Sequence, residues 1–324
     1  MRIAYVGSHE PMTERGTPWT TESAWGATLE LLGHEVRRID EASTSWPERV
    51  QLAEGADLFL ITSTWGYEER QPRAEGFRAI RYLNDRGLPT AMVHLDKWFG
   101  LGNREHQIQD SPQFKVRWCF TADGDSSHLF EAEGIRHHWL PPGVYRPECV
   151  DGTPRDEYRS DVAFIGNTDY AHAEHAEHRG SMLDALRYTF GHRVAFWPRP
   201  GESGPWGWAY NDLLASVRVI VGDSWQGARR YISNRCFEVV GRGGFIVHPA
   251  VPGLVDMLPE GMGVAYFPPG DWDAMLAAIQ YWIDDDDARA EACAKGQQFV
   301  RDNHSYSNRM TEMLGVMEAE GAWA

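Results

Sequence analysis

The chemistry this sequence can support is concentrated between Arg229 and Gly244, in the run Arg-Arg-Tyr-Ile-Ser-Asn-Arg-Cys-Phe-Glu-Val-Val-Gly-Arg-Gly-Gly. Ser233 and Asn234 are both good N-caps for a short helix over 234–240. The first turn of a helix has unpaired N–H groups and the positive end of the helix dipole, which together suit a phosphate. Arg229, Arg230 and Arg235 can bring guanidinium groups to that end, and arginine grips phosphate bidentately. Glu238 follows Arg235 by one turn, on the same side of the helix. A carboxylate in that place can reach a ribose diol, each charge-assisted hydrogen bond contributing about 1.5–3 kcal/mol. One reading of these residues is a receptacle for a nucleoside diphosphate. The other is a capped helix carrying an Arg–Glu surface pair, and the residue types alone do not separate the two.

Other polar groups are less specific. Gly7-Ser8 ends the first strand, at the edge where α/β sheets bind ligands. The loop 8–20 is long enough to cover a second substrate, and His9, Glu10 and Glu22 lie in or near it. His94-Leu95-Asp96 ends the fourth strand, at the same kind of edge. His172, His175 and His178 are spaced by three, so successive rings diverge by about 60° on a helix, which suits no metal. Asp123-Gly124-Asp125 reads as a turn or helix cap rather than a metal pair. The acidic run 284–287 lacks calcium-loop spacing and reads as a link between two helices, with a late Asp capping the second. Trp197, Trp208 and Trp225 can flank a nucleobase or fill a core. No metal and no permanently bound cofactor is expected.

These groups need a scaffold, and its pattern is an α/β alternation. Strands are expected at 2–6, 35–39, 57–62, 90–94, 118–121 and 137–140, with helices at 21–32, 45–55 and 75–86. The rhythm stops at Pro141-Pro142-Gly143 and resumes at 161. Strands follow at 161–165, 193–196, 217–221, 245–248 and 264–267, and helices at 179–188, 210–216, 234–240, 271–283, 287–303 and 310–318. A chain of 324 residues fits two domains of about 150 residues each. The formal net charge of −16 argues against a general nucleic-acid binder and leaves room for an anionic ligand where positive charge converges locally. No apolar run is long enough to span a bilayer, no secretory signal opens the chain, and the four cysteines lie far apart. A cytoplasmic protein is expected.

Ser-Asn-Arg-x-Phe-Glu followed by Gly-x-Gly-Gly-Phe-Ile-Val resembles the C-terminal motif of group 1 glycosyltransferases, in the branch that includes CgeB-like proteins. Further segments keep that family's order. They are Phe120-Thr121-Ala122-Asp123, Leu140-Pro141-Pro142-Gly143-Val144, Asp161-Val162-Ala163-Phe164-Ile165-Gly166, Val264-Ala265-Tyr266-Phe267 and the tail from Asn303-His304 to Arg309. The resemblance implies a GT-B fold: two Rossmann-like domains facing across a cleft, acceptor domain 1–147, donor domain 148–309, and a C-terminal helix 310–324 able to return to the first domain. It implies transfer of a sugar from a nucleotide diphosphate-sugar, without a metal. Glu238 would hold the ribose, Arg235 with the Ser233–Asn234 backbone the diphosphate, and Gly166-Asn167 would flank them. The family's Arg…Lys pair after the first donor-domain strand is missing, so Arg179, or Arg229 and Arg230, must supply that charge. On the acceptor side the implied residues are Gly7, Ser8, His9 and Glu22, and a base, where the reaction inverts, is His94, Asp96 or Glu10.

The acceptor is open among small molecules, glycan precursors, proteins and modified DNA bases. A DNA acceptor requires a basic face, for which Arg70, Arg73, Arg78, Arg81 and Arg86 are the candidates, against Glu68, Glu69 and Glu75. The rival reading from another class is a GT-B-like protein that binds a nucleotide or glycan without catalysis.

Overall fold

Apolar runs rich in Val, Ile, Leu and Phe become parallel strands covered on both faces, which is why they show no alternation. A computed structural model describes residues 1–9, 20–62, 72–98, 108–168, 173–199, 204–224 and 228–323, the side chains of 173–176 excepted. Glu10, Arg70, His172 and Trp225 lie outside the described residues, and His175 is described by its backbone alone. The chain divides into two compact units: Met1–Pro141 with Tyr306–Ala324, and Pro142–Ser305.

The first unit is a six-stranded parallel sheet of β1 (Arg2–Gly7), β2 (Glu35–Asp40), β3 (Leu58–Thr62), β4 (Thr90–His94), β5 (Trp118–Thr121) and β6 (His137–Trp139). Their order is β2-β1-β3-β4-β5-β6. The crossovers are α1 (Thr21–Leu31), α2 (Trp46–Leu52), α3 (Arg73–Asp85) and α4 (Ser127–Ala132). Thr20 caps α1, its hydroxyl accepting from the Ser23 N–H at 3.1 Å. Phe59, Ile61, Met92, Trp98, Phe114 and Phe130 pack together in this unit's core.

The second unit repeats the plan with five parallel strands: β7 (Ser160–Ile165), β8 (Val194–Trp197), β9 (Val217–Val221), β10 (Ile246–Pro249) and β11 (Val264–Phe267), in the order β11-β10-β9-β7-β8. Its helices are α5 (Ala173–Phe190), α6 (Trp208–Ser216), α7 (Asn234–Gly241), α8 (Pro252–Met257), α9 (Trp272–Asp284) and α10 (Asp286–Asn303). The acidic run does link two helices, and Asp285 caps the second by accepting from the Ala288 N–H at 2.9 Å. Val162, Phe164, Met182, Leu186, Val219 and Phe267 belong to this core.

The last helix, α11 (Tyr306–Ala319), belongs to the first unit. Tyr306 lies 5.7 Å from the Trp25 ring, Arg309 Nε donates to the Pro141 carbonyl at 2.8 Å, and Trp118 Nε1 donates to Glu320 at 2.8 Å. Among the described residues no helix is long and apolar enough to cross a membrane.

In each sheet the strand first in sequence lies beside the third, with the second on its other flank. Chain direction therefore diverges between β1 and β3, and again between β7 and β9. At such a switch point the loops leaving the two strands open a crevice at their carboxyl ends, the place where α/β sheets bind ligands. Gly7-Ser8 and Thr62 stand at the first crevice; Gly166-Asn167 and Gly222-Asp223 stand at the second.

Candidate functional site

The crevice between β7 and β9 gathers charge that the sequence holds far apart. Asp223, one residue beyond Gly222 at the end of β9, is buried, and its two oxygens take separate arginines. Arg179 Nε, on α5, reaches Oδ2 at 2.5 Å, and Arg235 Nη1, on α7, reaches Oδ1 at 3.0 Å. Both guanidinium groups lie over the Phe164 ring, with their central carbons 5.6 Å and 5.1 Å from its centroid. A cation over an aromatic face gains roughly 0.5–2 kcal/mol, more where water is excluded. Arg179 Nη1 also donates to the Asn167 carbonyl at 2.9 Å, tying the loop after β7 to the same cluster. Gly166 completes it. Its φ of +150° favours glycine, and a Cβ there would collide with Arg235 Nη2. Of Arg235's donors, Nη1 alone is committed to a protein acceptor among the described residues, so Nε and Nη2 remain available to a ligand.

Helix α7 starts at this cluster. Ser233 is its N-cap, with the hydroxyl accepting from the Arg235 N–H at 3.4 Å. Arg235 and Glu238 do not form the surface pair that their spacing allows. Arg235 turns to Asp223, and Glu238 Oε1 instead accepts from Asn234 Nδ2 at 2.9 Å. Asp223 wins because it is buried, where a charge needs its partner most. Burial pushes the Glu238 carboxyl up from its ordinary value, while Arg242 and Arg235 pull it back. The half-buried Glu238 is thus a strong acceptor with a local partner that a ligand hydroxyl can replace.

Below α7 lies a second buried pair. Arg242 Nη2 binds Glu148 Oε2, and Arg242 Nη1 donates to Asn211 Oδ1 at 2.8 Å and to the Gly207 carbonyl at 3.2 Å. Burial pushes Glu148 up to about 7, against the opposing pull of Arg242; the charge of Glu238 adds to the rise. A carboxyl whose pKa is raised on folding makes stability fall as pH rises from its unfolded value to its folded one. Glu148→Gln should therefore behave like wild type near pH 4.5 and gain on it by roughly 2–3 kcal/mol by pH 8, read from urea unfolding midpoints.

His248, on β10, supports Asp223 from behind. Its Nε2 is 3.1 Å from the Asp223 carbonyl and its Nδ1 2.8 Å from that of Pro249. Gly222 leaves room for this ring, which a Cβ would strike. Burial, the largest influence, lowers His248 to about 4, so the ring is neutral at physiological pH and donates to one of these two carbonyls.

The remaining expected residues fall elsewhere. Arg229 and Arg230 are exposed, and their backbone packs on Gly253 of α8. The second guanidinium beside Arg235 is that of Arg179. Asn167, by contrast, stays at the cluster through its carbonyl, its side chain exposed next to Gly166. Trp197 is buried at the end of β8, edge-on to Tyr158 at 5.2 Å, and Trp208 opens α6 half-buried. His178 is buried against Trp272, the ring centroids 4.7 Å apart.

In the first unit, Gly7 sits where a Cβ would press on Glu22 and the Thr62 carbonyl, each near 3.1–3.3 Å, and Glu22 is buried. Thr20 Oγ1 donates to the Ser8 carbonyl at 2.7 Å. His9 Nε2 lies 2.9 Å from the Tyr5 carbonyl, and burial lowers its pKa, so the neutral ring donates there and its buried Nδ1 has no hydrogen-bond partner among the described residues. His94 is buried at the end of β4, its Nδ1 3.0 Å from the Asp96 carbonyl and its ring edge-on to Trp98. Asp96 is half-buried. Asp123 is the N-cap of a 3-10 turn and is buried, accepting from the Trp98 N–H at 3.1 Å and the Ser126 hydroxyl at 3.0 Å.

Sequence reasoning missed Asp223, Phe164, His248 and the Glu148–Arg242 pair. The strand-end rule that singled out Gly7-Ser8 and His94 also points to Gly222-Asp223, directly after the 217–221 strand.

Two Rossmann-like units, each with a crevice at its switch point and one of these lined by arginines, define the fold as GT-B. Comparison with known proteins agrees. Residues 177–315, which include α7, match the family model described as glycosyl transferase-like. No curated protein sequence matches the chain. Among solved structures, an alpha-glucosyltransferase in complex with UDP-glucose and DNA containing an abasic site is similar over 98% of this chain and 99% of its own, with TM-score 0.69 and 12% identity. A sucrose-phosphate synthase from Thermosynechococcus elongatus aligns over 100% of both chains, with TM-score 0.62 and 12% identity. Anabaena Alr3699/HepE in complex with UDP aligns over 98% of this chain and 100% of its own, with TM-score 0.61 and 11% identity.

Proposed function

We propose that this protein transfers a sugar from a uridine diphosphate-sugar to an acceptor hydroxyl, with the donor seated at the β7/β9 crevice. The observation that carries this reading is the convergence of Arg179 and Arg235 on one buried carboxylate beside the N-terminus of α7. Two structural neighbours are complexes with UDP or UDP-glucose, which supports uridine as the base. Arg235, Arg179 and the first N–H groups of α7 take the diphosphate, Glu238 takes the ribose diol, and Gly166-Asn167 forms the wall beside them. Arg229 and Arg230, exposed near α8, have at most a rim role.

As the bond from the anomeric carbon to the β-phosphate oxygen breaks, its electron pair moves onto that oxygen, and the negative charge of the leaving diphosphate grows. Fixed guanidinium groups and helix N–H groups stabilise that growth without reorganising. The acceptor oxygen bonds the anomeric carbon and gives up its proton. The acceptor side belongs to the first unit, at the ends of β1 and β4: Gly7, Ser8, His9 and Glu22, with His94 and Asp96 as proton acceptors. Glu10, next in sequence to His9, is the third candidate base.

Glu238→Ala should weaken donor binding and activity by about 2–3 kcal/mol, a factor of roughly 30–150. The first test is thermal unfolding against UDP, GDP, ADP and their sugar conjugates. A ligand at about 100 times its Kd stabilises the native state by about 2.7 kcal/mol. A shift with uridine nucleotides that Glu238→Ala loses supports the reading; a folded protein that shifts with no nucleotide defeats it.

A DNA acceptor is the second reading, favoured by Arg73, Arg78, Arg81 and Arg86, all exposed on or just beyond α3. Arg73 lies 3.7 Å from Asp110, and Arg86 stacks on Tyr82. Transfer to a small acceptor that needs no DNA and ignores salt overturns it.

A further inference from the structure

A carboxylate is an unexpected group to find in a phosphate site, because it repels the anion the site is built to hold. Asp223 is nevertheless the element around which the crevice is assembled. It is 3% exposed, both its oxygens engage arginines, and the His248 ring lies against its backbone. Without it, two largely buried guanidinium groups would share one Phe164 ring with no negative charge from Asp223 between them. Like charges so placed repel strongly, and the empty site would splay. With it, the cluster of two arginines and one carboxylate keeps a net charge of +1, enough to attract a diphosphate but one unit less than the arginines alone provide. A nucleoside diphosphate brings its own negative charge to the same guanidinium edges.

Resting on the donor-site reading above, we infer that Asp223 is a built-in counter-anion. It is a positioning residue that holds Arg179 and Arg235 together while the site is empty and weakens the grip on the nucleoside diphosphate left after transfer, so that product escapes. Asp223 touches neither sugar nor phosphate; it acts through the arginines.

The test is Asp223→Asn, which keeps the shape and one acceptor oxygen but removes the charge. The probe is UDP, measured by calorimetry at low and moderate salt, beside unliganded melting temperature and steady-state kinetics. Without ligand the variant should melt lower than wild type. With UDP it should bind about tenfold more tightly, with a steeper salt dependence, since one opposing charge is gone. Turnover should show a split: KM for the donor falls and kcat falls with it, as release of UDP becomes slower. Asp223→Glu should restore the wild-type pattern in part, because it restores the charge. A role confined to structural support predicts the opposite for affinity. Equal or weaker UDP binding by a folded Asp223→Asn, while wild type binds UDP, overturns the inference and leaves the donor-site reading standing. Wild type that binds no nucleotide defeats the donor-site reading and this inference together. Should Asp223→Asn fail to fold alone, UDP decides: refolding in its presence supports the counter-anion role, and failure to refold overturns it.

Discussion

Arg235→Ala should lower kcat/KM for the donor by roughly 100–1,000-fold, the largest single effect we expect on activity. The magnitude follows from what the side chain does in the fold. Arg235 presents Nη2 beside Gly166, while Nη1 is held by Asp223 and the guanidinium lies over Phe164. Such a donor is preorganised, so its attraction for the leaving diphosphate costs no rearrangement when charge develops. Its removal also leaves Asp223 with Arg179 as its sole charged partner of the two, shifting the cluster from net positive to neutral. Both losses act on the leaving group, so kcat should fall along with affinity. Arg235→Lys keeps a charge but not the planar fork, and cannot at once bond Asp223, lie over Phe164 and reach a phosphate; it should recover little. Steady-state kinetics with a UDP-sugar, beside melting curves that report folding, make the comparison. A well-folded Arg235→Ala within threefold of wild type would remove Arg235 from the donor site.

How much of this could be read beforehand follows the range of each interaction. Glu238, Arg235 and Ser233 were legible because capping and helical spacing act within one turn. The partnership of Arg235 was not, because Asp223 approaches it through the order of strands rather than along the helix. Arg179 and Asp223 are 44 residues apart and meet only because β7 and β9 are neighbours. The sequence left Arg179 as one of two sources for the missing charge, and no local rule favours it over the exposed Arg229 and Arg230. The α/β rhythm was legible because buried parallel strands are short apolar runs. Two helices of six residues, α4 and α8, escaped because less than two turns carry no usable period. Helix α5 starts at Ala173, ahead of the expected 179, because its first turns run through the polar repeat Ala-Glu-His-Ala-Glu-His, which has no apolar stripe.

Acidification from pH 7 to about 4.5 should destabilise the first unit more than the second, because His9 and His137 act in one direction in the first while His248 and Glu148 act in opposite directions in the second. His137, 8% exposed, stacks on Phe130 at 4.3 Å and lies between the hydroxyls of Thr121, at 2.7 Å, and Ser127, at 3.0 Å. A neutral ring fits that pair, donating to one and accepting from the other. Burial, with the neighbouring His138 adding to it, lowers His137 to about 4. The unfolded chain takes up the proton near 6.5, so the stability present above that pH is lost as pH falls toward the folded value. The loss amounts to roughly 2–3 kcal/mol by pH 4.5. His248 makes the same demand in the second unit, with its pKa also lowered to about 4. There Glu148 works against it: its carboxyl, raised to about 7, takes up a proton in the fold over the same window and returns a comparable amount. Hydrogen exchange followed segment by segment should therefore show β5 and β6 losing protection at a higher pH than β7 and β9. His137→Gln should flatten the response of the first unit, and Glu148→Gln should deepen that of the second by removing the compensating proton. Equal loss of protection in both units across the titration would mean that neither histidine controls the acid limit of the fold.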